Sequence, residues 1–467
     1  MKLEFHGADQ NVTGSCHLFE AAGKKILIDC GLYQGGREMD EENSEPFGFD
    51  PASIDYLLLT HAHLDHCGRI PLLVKQGFAG EIITTGASCE LARLVLLDSA
   101  HLQEDEARYK TKKASRHGYK KDKIEPLYNT VDVLNCFGFF GRTAKYNQPL
   151  AINGGIQVTF IDAGHILGSA SIVLEVNHKE QQRKILFSGD LGYNGRAIIK
   201  DPTTPPHVDI VVMETTYGDR LHKTLEPTLE EFYSTINKTI AKGGNIIIPS
   251  FALERAQELL YYLREGIENG QLPSYLPVFL DSPMAISATE IFQRHPECFD
   301  KETCAIFTSG QDPFMFPSLH FTRETADSMA INNVAGGAVI IAGSGMCTGG
   351  RVKHHLKHNL WKRNNTIIFV GFAAYGTLAR RIVDGAKEVK IFGEEIQVHA
   401  STYTIGGFSA HADQAELLAW HQHTGSPKTT FLVHGDKEVM PVFAKKLHNT
   451  QVEIPVLHQQ YNLDEWF

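Results

Sequence analysis

One short segment of the sequence holds four side chains that could bind metal. His61, His63, Asp65 and His66 occupy four of six consecutive positions, directly after the apolar run IDYLLL. Imidazole and carboxylate groups suit Zn²⁺ and other borderline metals. A merely solvated loop would not explain why such a cluster interrupts a buried strand. The HAHLDH segment (residues 61–66) therefore predicts a metal site at a strand end, with room for a second ion a few ångström away.

Two more apolar runs end in candidate ligands. His165 follows VTFIDAG, and Asp190 follows KILFSG. Taken alone, the first is more typical of a core or surface histidine, and the second of a turn. Their occurrence at strand ends behind the HAHLDH segment favours metal ligation for both.

Three residues of the second half extend this set. His434 follows the run TTFLV and could complete a second ligand group, although a strand-end histidine is often ordinary. Glu214 follows the buried run DIVVM, where an acid needs a partner. The histidine of SAHAD, His411, could supply that partner.

Other positions could face phosphate groups. The glycine-rich turn GSGMCTGGR exposes backbone N–H groups that can form an anion nest, with an arginine at its end, although a plain tight turn is equally compatible. Another strand-to-helix junction, IPSFALER, offers a serine and an arginine, with helix capping by the serine as the alternative. The phosphate candidates are Ser250, Arg255, Ser344, Gly345 and Arg351.

The elements that must position these residues alternate between strand and helix. KKILIDCG, IDYLLL, IQVTFID and KILFSGD predict strands, and LDHCGRIPLLVKQ and SCELARLVLLDSAHLQEDEARYK have helical spacing. Such sequences build layered αββα or α/β folds whose strand ends line a shared crevice. A second α/β rhythm begins near residue 206. We expect domains over 1–208, 209–378 and 379–467, the last completing the first.

Composition narrows the class further. The 467 residues have 42% hydrophobic and 21% charged residues, which is ordinary globular composition, and no apolar run reaches the ~18 residues of a membrane span. Eight scattered cysteines without a CxxC pair favour reduced thiols and a cytoplasmic location. The net charge of −11 disfavours nucleic acid as a partner, but residues 108–123 hold eight Lys and Arg and one acid. That run is either a solvated segment or a guide for a polyanion.

The combination of these candidate ligand motifs, in this order at strand ends, resembles the metallo-β-lactamase superfamily. Asp29, in LIDCG, matches its first motif, HAHLDH its second, and the histidine and aspartate after the later strands its third and fourth. The resemblance implies an αββα sandwich with two metal ions, Zn²⁺ being favoured and Mn²⁺ or Fe being alternatives. It places His61, His63 and His165 on one ion, Asp65 and His66 on the other, and Asp190 between them. Asp29 would orient a liganding histidine.

The second half resembles the β-CASP nucleases of that superfamily. METTYG (213–218), GFSAHAD (407–413) and LVHG (432–435) are similar to their three additional motifs, and the insertion is similar to their cap domain. A histidine in the third of these motifs is typical of the RNA-acting members. The resemblance implies hydrolysis of single-stranded RNA that leaves 5′-phosphate and 3′-hydroxyl, with internal cleavage favoured over terminal cleavage. It counts Asp29 and Asp65 with the catalytic residues and assigns proton donation to His411, held by Glu214.

Several alternatives stay open from the sequence. The chain could be a 5′-exoribonuclease of the same family, or a dimetal ester or thioester hydrolase. An inactive scaffold subunit is disfavoured because each ligand position is intact, and a redox diiron protein would need a flavin domain. A homodimer is compatible with the sequence. The sequence gives no reason to expect a membrane partner.

Overall fold

The computed structural model describes residues 1–35, 41–116, 124–153, 155–178, 181–371 and 373–466. They form two compact units, and the first contains residues 1–195, 201–221 and 411–467. The second contains residues 196–200 and 222–410. Within the described ranges, no helix is both long enough and apolar enough to cross a bilayer.

The first unit contains two mixed seven-stranded sheets. Strands and helices are numbered here in chain order. One sheet has the spatial order β22 (Gln460–Asn462), β1 (Lys2–Phe5), β2 (His17–Ala21), β3 (Lys24–Ile28), β4 (Tyr56–Leu58), β5 (Glu81–Thr85) and β6 (Phe140–Ala144). Its pairs are antiparallel from β22 to β3 and parallel from β3 to β6.

The second sheet repeats this arrangement with its own parallel half. Its order is β21 (Gln451–Glu453), β20 (Thr429–Val433), β11 (Ile210–Glu214), β10 (Gln181–Phe187), β9 (Ala170–His178), β8 (Ile156–Asp162) and β7 (Leu150–Asn153). The pairs are parallel from β21 to β10 and antiparallel from β10 to β7.

The two sheets share one hydrophobic core. Ile26 and Ile28 of β3 pack in the same cluster as Ile172 and Leu174 of β9. Because side chains alternate along a strand, the buried Leu27 faces the opposite side and needs a covering layer. Within the described residues, the helices of the first unit include α1 (Leu64–Cys67), α2 (Ile70–Lys75), α3 (Gly86–Arg116), α4 (Thr130–Cys136), α12 (Gln414–His423) and α13 (Met440–Ala444).

Helices cover the outer faces of both sheets. Helix α3 contacts β5 and β6 of the first sheet. On the second sheet, Leu417 and Trp420 of α12 and Phe443 of α13 pack with Met213 and Leu432. The first unit is thus the expected αββα sandwich. Sequence spacing predicted one helix over LDHCGRIPLLVKQ, whereas the structure has two short helices there, α1 and α2.

The second unit is built on one parallel sheet. Its order is β14 (Leu319–Phe321), β13 (Val278–Asp281), β15 (Val339–Ala342), β12 (Ile246–Pro249), β16 (Thr366–Phe369) and β19 (Ser401–Thr404), with a hairpin of β17 (Glu388–Ile391) and β18 (Glu394–Gln397). The helices are α5 (Leu225–Ala241), α6 (Arg255–Glu268), α7 (Pro283–Arg294), α8 (Lys301–Thr308), α9 (Thr325–Ala330), α10 (Val352–Asn359) and α11 (Leu378–Val383).

The compact units divide the chain at other residues than the predicted boundaries. The sequence placed the return to the first domain at residue 379, but the chain returns at residue 411. The reason is that β19 pairs with β16 and so completes the sheet of the second unit. The predicted boundary at 208/209 likewise precedes β11, which belongs to the first unit.

Candidate metal centre

Four ligand side chains of the first unit converge on one point. His61 and His63 follow β4, His165 follows β8, and Asp190 follows β10. His63 Nδ1 lies 3.1 Å from His61 Nε2 and 3.2 Å from His165 Nε2. Asp190 Oδ2 lies 3.5 Å from the Nε2 atoms of both His61 and His165. These four residues form the first ligand group.

A second ligand group lies beside the first. It contains Asp65 and His66 of α1 and His434, which directly follows β20. His434 Nε2 lies 3.5 Å from Asp65 Oδ2, and His66 Nε2 lies 3.2 Å from Asp190 Oδ1. The carboxylate of Asp190 therefore turns Oδ2 to the first group and Oδ1 to the second, which is the placement that a bridging ligand requires.

The spacing of these atoms fits a metal ion. In a tetrahedral site with bonds of about 2.0–2.1 Å, neighbouring ligand atoms lie about 3.3 Å apart. The separations in the first group, 3.1 to 3.5 Å, bracket that value. Imidazole nitrogen and carboxylate oxygen are also the donor types that Zn²⁺ accepts.

Three buried polar atoms of this cluster are otherwise unsatisfied. Within the described part of the chain, His66 Nε2, Asp190 Oδ1 and His434 Nε2 are shielded from solvent and make no hydrogen bond. A buried polar atom without a partner costs about 1–3 kcal/mol. A bound cation would satisfy all three atoms, so the residues present fit a divalent metal.

The protonation of two histidines of the first ligand group also suits metal binding. Burial lowers the pKa of His63 to about 4 and, together with the neighbouring His66, lowers the pKa of His61 well below its ordinary value. Neutral imidazole keeps the lone pair that a metal needs. Burial would raise the pKa of Asp190, but His434 and His66 outweigh it and hold this pKa well below the usual range. Asp190 is therefore ionised at neutral pH.

Asp29 and Thr60 orient the ligands from behind. Asp29 directly follows β3, and its Oδ2 lies 2.7 Å from His66 Nδ1. Its two oxygens also accept hydrogen bonds from the backbone N–H and the hydroxyl of Thr60, each at 2.8 Å. The same hydroxyl lies 3.0 Å from His61 Nδ1. One carboxylate thus fixes the ring of His66 directly and that of His61 through Thr60.

Glu214 and His411 form a pair next to the ligand groups. Glu214 is fully buried at the end of β11, and its Oε1 lies 3.1 Å from His411 Nδ1. Glu214 also accepts hydrogen bonds from the backbone N–H groups of Leu191 and Thr216. The ring centres of His411 and His165 are 4.6 Å apart. These contacts hold the carboxylate in place, and it fixes the ring of His411 through Nδ1.

Three of the five phosphate candidates line one small cavity of the second unit. Ser250, Arg255 and Gly345 lie there with Phe251 and Phe369. The Ser250 hydroxyl donates to the Phe251 carbonyl at 2.9 Å rather than capping a helix, since α6 begins only at Arg255. Ser344 Oγ lies 3.5 Å from the carbonyl oxygen of Gly349 within the glycine-rich turn.

Both arginines among the phosphate candidates contact other groups of the protein. The guanidinium of Arg351 donates to Asp281 Oδ1 at 2.7 Å and to the carbonyl oxygens of Thr322 and Arg323 at 2.8 and 2.6 Å. Arg255 likewise forms an ion pair with Glu258 in the same helix. Arg351, which was predicted to assist an anion nest, therefore anchors the glycine-rich turn to the end of β13.

Two residues that contact the candidate ligands were given no role from the sequence. Thr60 immediately precedes His61, and the hydroxyl of Thr216 lies 3.1 Å from His434 Nδ1. The available signal was a hydroxyl residue at a strand end next to a candidate ligand.

The basic run 108–123 falls partly outside the described residues, at 117–123. Lys110 of its described part forms an ion pair with Glu106.

Comparisons with known proteins match most of the chain. Residues 10–147 match the metallo-β-lactamase superfamily, residues 256–382 the β-CASP domain, and residues 395–457 the Zn-dependent metallo-hydrolase RNA specificity domain. A crystal structure of a protein of unknown function from Enterococcus faecalis covers 98% of this chain and 99% of its own, with a TM-score of 0.54 and 12% identity, which concerns the fold alone.

Three relatives are similar over nearly the whole chain. Ribonuclease TTHA0252 of Thermus thermophilus is 39% identical over 96% of this chain and 96% of its own. An RNase J-like protein of Methanocaldococcus jannaschii is 30% identical over 97% of this chain and 96% of its own. The transcription termination factor FttA of the same organism is 30% identical over 98% of this chain and 70% of its own. The chain therefore belongs to the β-CASP nucleases of the metallo-β-lactamase superfamily, and it is a metal-dependent hydrolase.

Proposed function

We propose that this protein is a zinc-dependent ribonuclease that cuts single-stranded RNA internally and leaves 5′-phosphate and 3′-hydroxyl ends. The observation that carries the proposal is the Asp190 carboxylate, whose two oxygens face two histidine-rich ligand groups beside the Glu214–His411 pair. RNA as the substrate is supported by the ribonuclease names of the relatives and by the RNA specificity domain matched over residues 395–457.

The ligand residues define where two ions would be held. His61, His63 and His165 would hold one, and Asp65, His66 and His434 the other, with Asp190 shared. Bound divalent metal supplies Lewis acidity and lowers the pKa of water towards neutrality. Around that site the chain provides a rigid frame, since Asp29 and Thr60 fix the rings of His66 and His61.

His411 is the group that would give a proton to the leaving 3′-oxygen. Burial lowers the pKa of His411, but the charge and hydrogen bond of Glu214 outweigh it and raise this pKa to about 9. The imidazole is therefore protonated at neutral pH and can act as a general acid, a role typically worth about 10²–10⁴ in rate. Glu214 fixes the ring through Nδ1, so donation would come from Nε2.

A circular single-stranded RNA tests the proposal most directly. We expect the purified protein to linearise the circle, to leave 5′-phosphate ends, and to lose activity when a chelator removes the metal. Asp190→Ala serves as the matched inactive control in the same buffer. Degradation of linear RNA with the circle untouched would instead indicate a 5′-exoribonuclease of the same family. Failure to cut any RNA while a simple ester is hydrolysed would refute the RNA assignment.

A further inference from the structure

The stretch from residue 328 to residue 383 differs in charge from the rest of the chain. It contains seven Lys and Arg and no Asp or Glu, whereas the whole chain has 44 basic and 55 acidic residues. The remaining residues thus carry 37 basic against 55 acidic side chains, a net charge of −18. A polyanion would be repelled by most of the molecule and attracted by this stretch.

Helix α10 displays the basic residues of this stretch. Val352, His355 and Leu356 are buried beneath the helix. The opposite face and the residues that follow are exposed or half-buried, and we call them the basic helix face: Lys353, His354, Lys357, His358, Trp361, Lys362 and Arg363. Lys353 and Lys357 are four residues apart, so they lie about 6 Å apart along the same side of the helix.

Three cations of the basic helix face are available to a ligand. Within the described ranges, Lys353, Lys362 and Arg363 form no ion pair, although Lys357 is neutralised by Glu394 at 2.7 Å. Arg351 and Arg380, which belong to the same acid-free stretch, are bound to acids and are not counted here. The surface therefore has unneutralised positive charge.

Exposed aromatic rings accompany these cations. Trp361 is 54% exposed, and Lys362 Nζ lies 5.6 Å from the centre of its ring. Phe392 is 50% exposed, its ring centre lies 4.5 Å from that of His354, and Lys353 Nζ lies 5.0 Å from it. Burial, and then the neighbouring His355 and Lys357, lower the pKa of His354 and of His358.

We propose that the basic helix face binds the phosphate backbone of RNA, with Trp361 stacking on a base. This inference rests on the proposed function, and it assigns to the second unit an RNA contact separate from the metal ligands of the first unit. Exposed aromatic rings interleaved with lysines are the surface that single strands recognise without sequence preference. An acidic protein segment would be drawn to the same charge but would not require the flat face of Trp361.

Two matched double variants test the proposal. Lys353→Gln with Lys362→Gln removes two charges from the basic helix face. Lys238→Gln with Lys242→Gln removes two exposed charges from the C-terminal end of α5 and the residue that follows it, in the same unit. Fluorescence anisotropy of the full chain with its metal would measure the affinity for a short labelled RNA with non-bridging phosphorothioates, which slow cleavage. Far-UV circular dichroism and the thermal midpoint would establish that both variants fold.

The expected result has two parts. The basic-face variant should bind RNA about ten-fold more weakly, and the slope of log affinity against log salt should fall by about 1.4, because each phosphate contact on a single strand contributes about 0.7. Trp361→Ala should weaken binding with an unchanged salt slope, because stacking is uncharged. The α5 variant should match the parent protein.

Other results would separate the two proposals. If the parent protein binds RNA and the basic-face variant binds it equally well with the same salt slope, the basic helix face is not an RNA contact and the ribonuclease assignment stands. If the parent protein itself does not bind RNA, the proposed function fails first. Equal losses in the basic-face and α5 variants would indicate a general charge effect and would also refute the inference.

Discussion

At the scale of single residues, Asp190 unites the two ligand groups. Its Oδ2 lies 3.5 Å from His61 and His165, and its Oδ1 lies 3.2 Å from His66. Asp190→Ala should therefore lose metal from both groups, whereas His434→Ala should deplete mainly the second. Elemental analysis of the two purified variants would measure this difference. Two metal ions per chain in Asp190→Ala would contradict the bridging role.

Metal binding and proton donation can be separated at His411. If His411 is the general acid, His411→Ala should keep its metal and lose about 10²–10⁴ in rate. A thiolate with a pKa near 8.5 leaves without protonation far more readily than an alkoxide. RNA with sulfur at the 3′-bridging position should thus be cut almost equally by the variant and the parent protein. His434→Ala is the control for thiophilic metals. If His411→Ala loses metal and the sulfur-substituted RNA does not selectively restore its activity, His411 is a metal ligand instead.

Glu214 should set the pH at which His411 loses its proton. The glutamate raises the pKa of His411 to about 9, and a general acid works only below its pKa. Activity should therefore be present at neutral pH and fall as the pH rises through that value. Glu214→Gln removes the negative charge, so the alkaline limb of the kcat profile should move to lower pH. A uniform loss of kcat with an unmoved limb would mean that Glu214 serves the fold alone.

At the scale of elements, strand ends and the close approach of loops place the ligands. Gly192 lies two residues after Asp190, and a Cβ there would lie 1.6 Å from the carbonyl oxygen of Gly164, next to His165. Gly192→Ala should therefore push the two loops apart, destabilise the protein by about 1–3 kcal/mol and weaken metal binding. Gly138→Ala, where a Cβ meets no atom within 4 Å, is the matched control. Thermal denaturation and metal analysis would compare them, and equal midpoints would contradict this packing argument.

The sequence predicted which candidate ligand residues lie together better than it predicted the limits of the helices. The HAHLDH segment, His165, Asp190 and His434 follow strands in the sequence and lie together in the structure, because β4 of the first sheet and β8, β10 and β20 of the second sheet end at the same place. Arg351 could not be predicted in the same way. Its partner, Asp281, lies 70 residues away in sequence, and the local spacing of side chains carries no information about that contact.

Helix limits failed for local reasons that can be named. The helix predicted to run through residue 68 is divided because Gly68 ends α1 and a proline, Pro71, lies in the first turn of α2. The hydrophobic pattern predicts a helix from Phe251 onwards, FALERAQELLYYLREGI, but helix α6 starts only at Arg255 because Glu254 has a φ of 62°, outside the helical region. Neither break was visible in the hydrophobic pattern, which continues through both.

At the scale of the whole molecule, metal should stabilise one unit selectively. All proposed ligands belong to the first unit, so metal at 100 times its Kd should add about 2.7 kcal/mol to the free energy of unfolding of that unit. Hydrogen exchange with and without chelator should show lost protection in β11 and β20, and little change in β13 and β15. Equal loss in all four strands would show that the stabilisation is not confined to the first unit.

The pairing of β11 with β20 has an entropic consequence. Glu214 lies opposite Val433 in this parallel pair, and residues 222–410, which form most of the second unit, are inserted between the two strands. An unfolded connection of about 200 residues would cost about 2.7 kcal/mol more to close than one of about 10 residues, because the closure entropy grows with the logarithm of loop length. The folded insertion removes most of that cost by fixing the span of its own ends. Substitutions that unfold the second unit would therefore loosen Glu214 and His434 without touching either residue.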